Sequence, residues 1–213
     1  MPEQDPTGGP DTRAIAAQRR LFDGHIHIID HRFPIVANQG YVPPHFPLDD
    51  YLAEVRPLGV TGGAIASGSF QGFDQTYLID VLGRLGEGWV GVTQIPNDYP
   101  DREIARLAAL GVRALRFNLF RGRIDNIDDV IALATRCHAV AGWHAEMYVD
   151  AATLAPHTGK LACLPGLCID HLGMTEAGMP VLLDLISAGC KVKASGFGRV
   201  SLDVPRALGS RLD

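Results

Sequence analysis

Two histidines near the start of the chain, His25 and His27, have the type and spacing of residues that do chemistry. They end an apolar run, and because side chains alternate along a strand, residues two apart point to the same face. Asp23 shares that parity one step earlier. Two imidazoles that converge on one point can bind a divalent metal or contact a substrate oxygen. Ordinary polar residues at a strand end would have the same spacing, but a third histidine, His171, ends a later run and favours a functional set.

A second group of polar residues lies on the run 112-VRALRFNL and just after it. Arg116 and Asn118 share one face of this predicted strand, whereas Arg113 has the opposite parity and is interpreted as structural. Arg121 follows in the loop. A guanidinium group can bind both oxygens of a carboxylate at once, so Arg116 and Arg121 indicate a carboxylate-bearing substrate. For Arg121, a surface arginine paired with an acid is the alternative.

The run 144-HAEMYVD places three polar residues, His144, Glu146 and Tyr148, on one face of a predicted strand. A buried carboxylate needs a partner, and Lys193, on the last run, is the candidate. We therefore predict an ion pair between Glu146 and Lys193 inside the fold. Its role is open between a structural pair and a catalytic one.

Seven short apolar or alternating runs must position these residues, with polar-apolar segments of helical spacing between them. The runs begin at residues 22, 60, 89, 112, 144, 167 and 191, and the helical segments are 48–58, 74–85, 101–110, 125–141, 151–159 and 176–189. Glycines close several of these segments, as expected where a helix ends before the next strand. Alternating strands and helices indicate a parallel sheet, either doubly wound or closed into a barrel.

Two features favour the barrel. The first strand–helix turn lacks the G-x-G-x-x-G pattern of a dinucleotide site, and polar residues fall at the carboxyl ends of the strands, where barrel enzymes assemble their sites. We predict an α/β fold of the (β/α)8 TIM-barrel type, incomplete, with about seven βα units over residues 21–213 after a disordered tail at residues 1–20. A barrel without its last unit exposes two strand edges, so we expect low stability, aggregation or completion by a second chain.

Charge and composition exclude several classes of protein. Nineteen Lys and Arg against 24 Asp and Glu give a net charge of −5, which disfavours nucleic acid as a partner. No run approaches the ~18 apolar residues of a membrane span, and the first twenty residues contain no apolar signal segment. These two observations predict a cytoplasmic location. The four cysteines form no C-x-x-C pair, so free, buried thiols are predicted.

Five motifs in a fixed order resemble the amidohydrolase superfamily, in its branch of lactone-hydrolysing enzymes. They are FDGHIHIID near the start, YVPP at 41–44, LRFNLFRG at 115–122, the late IDHLG and the following VKASG, and they span roughly residues 21–205. The H-x-H pair alone is moderately specific, whereas the ordered set is strongly so. The resemblance implies a distorted TIM barrel and a hydrolase that opens a lactone ring with activated water.

The resemblance also implies which residues bind the substrate. In lactone hydrolases of this branch, the residues that match Arg116 and Arg121 hold the carboxylates of the substrate. Those that match Tyr41, Ser69 and Tyr148 add hydrogen bonds. The implied partner is a small molecule with a carboxylate, and a homo-oligomer is a further possibility.

The same resemblance assigns the chemistry to the three histidines. His25, His27 and His171 would polarise the lactone carbonyl, either directly or through one divalent metal bound by the same three side chains. Zinc is the expected ion if a metal is bound, and some members of the branch work without metal. The cofactor is therefore either none or one divalent metal.

One residue that the superfamily uses is missing. An aspartate at the end of the eighth strand acts there as general base or metal ligand, and this sequence has no matching string, so we expect a chain truncated before that strand. A substitute base must reach the attacking water. Asp170 is adjacent to His171 and is predicted to point the opposite way. Glu146 is then the one acid predicted to point inward, and we expect it to lie too deep in the barrel to reach the attacking water. Two alternatives stay open: a metal-dependent decarboxylase of the same superfamily, and a catalytically inactive fragment.

Overall fold

The computed structural model of the chain describes residues 21–37, 40–120, 126–197 and 199–200. Three of the predictions made from the sequence lie outside these residues. They concern the N-terminal tail at residues 1–20, the role of Arg121, and the part of the barrel domain beyond residue 200.

Seven parallel strands form one sheet in the described part of the chain, in the order of the sequence. They are β1 (Leu21–Ile26), β2 (Val60–Ala66), β3 (Trp89–Thr93), β4 (Val112–Asn118), β5 (His144–Tyr148), β6 (Leu167–Ile169) and β7 (Lys191–Val192). Each strand pairs with the next one along the chain. Such pairing requires the repeated crossovers of a βα barrel, so the predicted fold class, an incomplete (β/α)8 barrel with seven units, is confirmed.

Helices connect the strands and cover the outside of the sheet. They are α1 (Leu48–Val55), α2 (Thr76–Leu85), α3 (Asp101–Ala109), α4 (Ile127–Ala141), α5 (Thr158–Leu161) and α6 (Met179–Ser187). The sequence predicted one helix over residues 151–159, but the chain forms a 3-10 helix at Ala151–His157 before the short α5. Pro156 lies inside that segment, and proline lacks the N–H that an α-helical ladder needs.

Two apolar clusters lie between the sheet and the helices. The first includes Ile65 of β2, Leu78 of α2 and Leu107 of α3, and the second includes Met147 of β5 and Leu182 of α6. All five side chains are excluded from solvent, and each contributes about 1.5–3 kcal/mol through burial. These contacts fix the outer face of the strands, so the polar residues of opposite parity face the interior of the barrel.

Small side chains line the inner face of the first half of the sheet. They are Ala64 and Ala66 of β2, Val92 of β3 and Ala114 of β4. Longer polar side chains from β1, β5 and the segment after β7 face them, and a cavity of about 540 Å³ lined by Ala64, Val92, Glu146 and Lys193 remains between them. The sheet curls so far that Lys193 Nζ, just after β7, lies 3.1 Å from His25 Nδ1 on β1.

Asp23 does not follow the alternation predicted for β1. Its carboxylate accepts hydrogen bonds from His25 N, at 3.2 Å, and from the hydroxyl of Tyr51 on α1, at 3.1 Å, so it faces the helices. The pairing of β1 with β2 shifts register on both sides of Asp23. An irregular register breaks the strict alternation of side chains, and the predicted parity of Asp23 with His25 and His27 is therefore wrong.

No helix among the described residues is long and apolar enough to cross a membrane. The four cysteines are free thiols, as predicted. The prediction that they are buried holds for Cys137 and Cys168 but is wrong for Cys163, which is exposed, and Cys190 is half-buried.

Candidate active site

The three histidines predicted from the sequence lie together at the carboxyl ends of β1 and β6. His25 Nε2 is 3.3 Å from His27 Nε2, and the ring centroids of His25 and His171 are 4.8 Å apart. Because His25 lies on β1 itself and His27 just beyond its end, His25 is the deeper of the pair.

His25 and His27 are neutral at pH 7. Burial lowers the pKa of His25 from 6.5 to about 2 and that of His27 from 6.5 to about 4, because a buried imidazolium loses its hydration. His27 Nδ1 lies 2.7 Å from the carbonyl oxygen of Ala66. A carbonyl only accepts, so Nδ1 of the neutral His27 ring carries the proton and Nε2 carries the lone pair.

His171 is held in a left-handed backbone conformation. Its φ is 52° and that of Leu172 is 54°, a region that costs non-glycine residues of the order of 1–3 kcal/mol. His171 Nδ1 lies 2.9 Å from Ser195 Oγ, which leaves Nε2 as the ring nitrogen that can meet a ligand. Gly196 permits this arrangement, because a Cβ at that position would lie 2.8 Å from the Cβ of His171. Strain of this kind is concentrated at functional sites.

Asp170 lies inside the site, so the prediction that it points away is wrong. It is fully buried, and its Oδ2 is 3.0 Å from both Nε and Nη2 of Arg116. The strand β6 ends at Ile169, and the left-handed turn at His171 then brings two successive side chains to the same place. Burial raises the pKa of Asp170, but Arg116 and Lys193 outweigh that effect, so its pKa lies below the usual range and the carboxylate is ionised.

Arg116 is buried and uses most of its donors within the protein. Besides its two contacts with Asp170, its Nη1 donates to the carbonyl of Ser67, at 2.9 Å, and to Asn118 Oδ1, at 3.0 Å. A guanidinium has five N–H groups, so these contacts leave one for a ligand. Arg116 alone therefore does not offer a two-point fork to a carboxylate.

The predicted ion pair between Glu146 and Lys193 is confirmed. Lys193 Nζ lies 2.6 Å from Glu146 Oε2, with side chains 15% and 3% exposed. The other carboxylate oxygen of Glu146 is 3.2 Å from His144 Nε2. Lys193 also reaches Asp170 Oδ1, at 3.4 Å, so its ammonium group lies between two carboxylates.

A cavity of about 590 Å³ opens at the carboxyl ends of the strands. Predicted site residues line it: His27, Tyr41, Ser69, Arg116, Tyr148 and His171. The structure thus gathers the predicted residues that it describes around one cavity, with His25 in contact with His27 from the interior of the barrel.

Arg199 lines the same cavity and was not predicted. Its Nη1 lies 3.1 Å from the hydroxyl of Tyr148 and its Cζ 5.9 Å from the centre of that ring. Arg116 Cζ lies 5.2 Å from the same ring centre. Two guanidinium groups therefore flank Tyr148 and make this wall of the cavity suitable for an anion. Arg199 follows β7 in an irregular segment, so no strand periodicity marked it.

The donor atoms suit a divalent metal in type and distance. Ligand atoms of His25, Asp170 and His171 lie within 4.8 Å of one another. The 3.3 Å between Nε2 of His25 and Nε2 of His27 is what two nitrogens about 2.0–2.1 Å from one tetrahedral zinc would show. Asp170 Oδ1, which is buried and has no hydrogen bond among the described residues, is the type of atom that a cation satisfies.

The hydrogen-bond pattern around these atoms does not fit a resident metal. The cation beside Asp170 Oδ1 is the ammonium of Lys193, which also lies 3.1 Å from His25 Nδ1. A histidine that binds a metal through one nitrogen normally donates its other N–H to a carboxylate or a carbonyl. His27 meets that condition through Ala66. His25 Nδ1 instead lies nearer to a donor, Lys193 Nζ at 3.1 Å, than to the carboxylate of Asp170, which is 3.7 Å away.

The chain is similar to a known protein family and to known enzymes. A family model described as amidohydrolase matches residues 22–203. A 4-sulfomuconolactone hydrolase of Rhizobium radiobacter is 30% identical over 222 aligned positions, which cover 92% of this chain and 71% of the relative.

Two further relatives have related names. A 2-pyrone-4,6-dicarboxylate hydrolase of Comamonas testosteroni is 26% identical over 159 positions, which cover 72% of this chain and 52% of the relative. A crystal structure from Pseudomonas putida, described as a candidate 2-pyrone-4,6-dicarboxylic acid hydrolase, superposes on this chain with a TM-score of 0.74 at 28% identity. The superposition covers 87% of this chain and 73% of the chain in that structure. The chain therefore spans about half the length of the Comamonas relative.

Proposed function

The chain belongs to the amidohydrolase family, and we propose that it is a hydrolase that uses water to open the lactone ring of a carboxylate-bearing substrate. One observation carries the proposal: His27 and His171 line the same cavity as Arg116 and Arg199. Imidazoles supply proton transfer and hydrogen bonds to a reacting carbonyl, and guanidinium groups bind carboxylates. The names of the two hydrolase relatives describe lactones that carry acid groups.

In the proposed reaction, the substrate first binds to the cationic wall of the cavity. Arg199 binds a carboxylate of the substrate, and Arg116 adds its one remaining N–H to the same group or to a neighbouring oxygen. Tyr41, Ser69 and Tyr148 line the cavity and add hydrogen bonds. This orientation brings the ring carbonyl against the H-x-H pair.

The chemical step then needs a proton acceptor and a donor to the carbonyl oxygen. His171 Nε2 takes a proton from the attacking water, whose oxygen bonds to the carbonyl carbon. The hydroxyl of Tyr148, which accepts from Arg199, donates its own proton in a hydrogen bond that stabilises the oxyanion. The ring C–O bond breaks, and His171 returns the proton to the leaving oxygen, so one lactone and one water give one open-chain hydroxy or enol acid.

We further propose that this site works without a resident metal, because Lys193 supplies the positive charge beside His25 and Asp170. Zinc was the expected ion if a metal is bound, and the ligand distances given above are the argument for it. The cytoplasmic location and the homo-oligomer stay predictions.

The test is a hydrolysis assay with 2-pyrone-4,6-dicarboxylate and 4-sulfomuconolactone, in which ring opening is followed by base consumption and carbon dioxide is measured in parallel. We expect one equivalent of acid for each ring opened and no carbon dioxide. His171→Gln should lower kcat by about 10²–10⁴, the usual contribution of a general acid–base group. His157→Gln, outside the cavity, is the matched control.

Two outcomes would contradict the proposal. Release of carbon dioxide would favour the decarboxylase alternative. Failure to open either ring, in a preparation shown by its unfolding transition to be folded, would favour the inactive alternative.

A further inference from the structure

Lys193 contacts His25, one of the three histidines of the site. The family resemblance assigned no role to Lys193. Its Nζ lies 3.1 Å from His25 Nδ1 and 2.6 Å from Glu146 Oε2. The side chain is 15% exposed, so little water competes for these contacts. Lys193 is therefore placed to determine which ring nitrogen of His25 carries the proton.

The chemistry of the donors fixes the protons of both rings. An ammonium group has three donors and no acceptor, so His25 Nδ1 must accept and the proton of a neutral His25 must be on Nε2. His27 has the opposite arrangement, because the carbonyl of Ala66, 2.7 Å from His27 Nδ1, requires a donor there. The 3.3 Å contact between the two Nε2 atoms is then an N–H donating to a lone pair.

We propose that Lys193 is a positioning residue that holds His25 in the Nε2–H tautomer, so that His25 donates to His27 Nε2 and the H-x-H pair resists a metal ion. This inference does not rest on the proposed function. The tautomer and the resistance to metal are properties of the free protein.

Glu146 holds Lys193 in place. Both oxygens of its carboxylate are engaged, one by Lys193 and the other by His144 Nε2, at 3.2 Å. Asp170 Oδ1, 3.4 Å from Lys193 Nζ, provides a second negative charge on the other side. These two contacts hold the Lys193 ammonium against His25 Nδ1, and an ammonium group has no lone pair with which to accept a hydrogen bond from His25.

The tautomer decides whether His25 can share a metal with His27. To bind an ion through Nε2, His25 would have to move its proton to Nδ1. That N–H would then face the N–H groups of Lys193 at 3.1 Å. Metal-binding histidines are instead backed by carboxylates or carbonyls, and losing such backing changes metal affinity by about 10- to 100-fold.

The test compares zinc binding by the full chain with zinc binding by variants that lack the ammonium. Lys193→Met leaves the charge of Glu146 uncompensated, so the double variant Lys193→Met/Glu146→Gln is made beside it. Lys191→Met, an exposed lysine two residues away, is the matched control. Titration calorimetry with Zn²⁺ should show about 10- to 100-fold tighter binding by the folded double variant than by the parent or the control.

A second measurement reads the tautomer directly. In nitrogen-15 NMR spectra, assigned by the signals lost in His25→Gln, His25 Nδ1 should have the shift of an unprotonated nitrogen in the parent and in Lys191→Met. In the folded double variant, the Nδ1 and Nε2 signals should move toward a mixture of tautomers. Unchanged zinc affinity together with an unchanged tautomer would overturn the inference.

Both measurements are made without substrate, so they separate this inference from the proposed function. If the parent opens neither lactone but the two readouts change as expected, the inference holds and the proposed activity fails. If the parent is active and neither readout changes, the inference fails alone.

Discussion

Arg116 Nη2 and Asp170 Oδ2 lie 3.0 Å apart, and their side chains are 3% and 0% exposed. This pair joins β4 to the turn after β6 across the interior of the barrel. It also keeps Asp170 ionised beside the three imidazoles, and thereby fixes the electrostatic environment in which they work.

Removing Arg116 should destabilise the chain strongly. Arg116→Met leaves the carboxylate of Asp170 buried with less compensation, and breaking a buried pair in this way costs about 3–5 kcal/mol. The free energy of unfolding, measured by urea titration, should fall by that amount. Arg113→Met is the control on the same strand: its side chain is exposed, so a loss below about 1 kcal/mol is expected. Equal losses in the two variants would contradict the role given to the buried pair.

Acidification should destabilise the chain through His27. Its pKa is about 4 when folded and near 6.5 when unfolded, so the unfolded state binds more protons between those values and stability rises with pH there. A shift of that size corresponds to at most about 3 kcal/mol. His25, whose folded pKa is about 2, adds a slope of the same sign over this range, so urea titrations from pH 4 to 7 should show both contributions. His27→Gln should reduce the slope without abolishing it.

The pH range from 4 to 6.5 distinguishes the effect of His27 on stability from the effects of the acidic residues of the site. Asp170 has a folded pKa below its ordinary 3.8, so its contribution is present above that pH and is lost only below it. A slope between pH 4 and 6.5 that persists unchanged in His27→Gln would show that another group causes it. His157→Gln, outside the cavity, should leave the slope as it is.

The architecture was predictable from the sequence because it follows from repeated apolar runs. The seven strands begin within one residue of the predicted positions, since each run has to be buried against a helix. The facing of Glu146 and Lys193 into the barrel followed from the same alternation. Where alternation holds, parity predicts which side chains meet.

The sequence failed where the chain stops being a regular strand. Asp23 lies between two register shifts, and Asp170 follows the last residue of β6 and precedes a left-handed turn. The alternation of side chains along a regular strand does not apply at either position, so it could not predict their directions. Arg199 could not be identified for a related reason, because its position depends on an irregular segment whose path no local pattern encodes.

Arg199 should determine how tightly a carboxylate-bearing lactone binds. A hydrogen bond to a charged group contributes about 1.5–3 kcal/mol, so Arg199→Met should raise KM by about 10- to 100-fold while kcat changes little. A methyl ester of the same lactone should show no such loss. Arg102→Met is the control, since that side chain is 83% exposed. A KM for the free acid that is the same in Arg199→Met and Arg102→Met would exclude Arg199 as the carboxylate ligand.

Gly196 should control the position of His171. An alanine substitution at a second glycine, Gly189, serves as the control for the cost of backbone strain alone. Gly196 and Gly189 both have positive φ, 74° and 96°, but an added Cβ would lie 2.8 Å from His171 Cβ at Gly196 and would meet nothing within 4 Å at Gly189. Alanine at either position carries the left-handed penalty of about 1–2 kcal/mol. Gly189→Ala should therefore lose about that much unfolding free energy in urea, and Gly196→Ala should lose at least as much, because its Cβ also meets His171.

Activity should distinguish the two variants. Gly196→Ala must also displace His171, and a misplacement of about 1 Å at a reacting group costs about a hundredfold in rate. We expect kcat on the lactone to fall by that order in Gly196→Ala and to stay near the parent value in Gly189→Ala. Full activity in a folded Gly196→Ala variant would mean that His171 tolerates the shift, and that its strained backbone is not what places its ring for proton transfer.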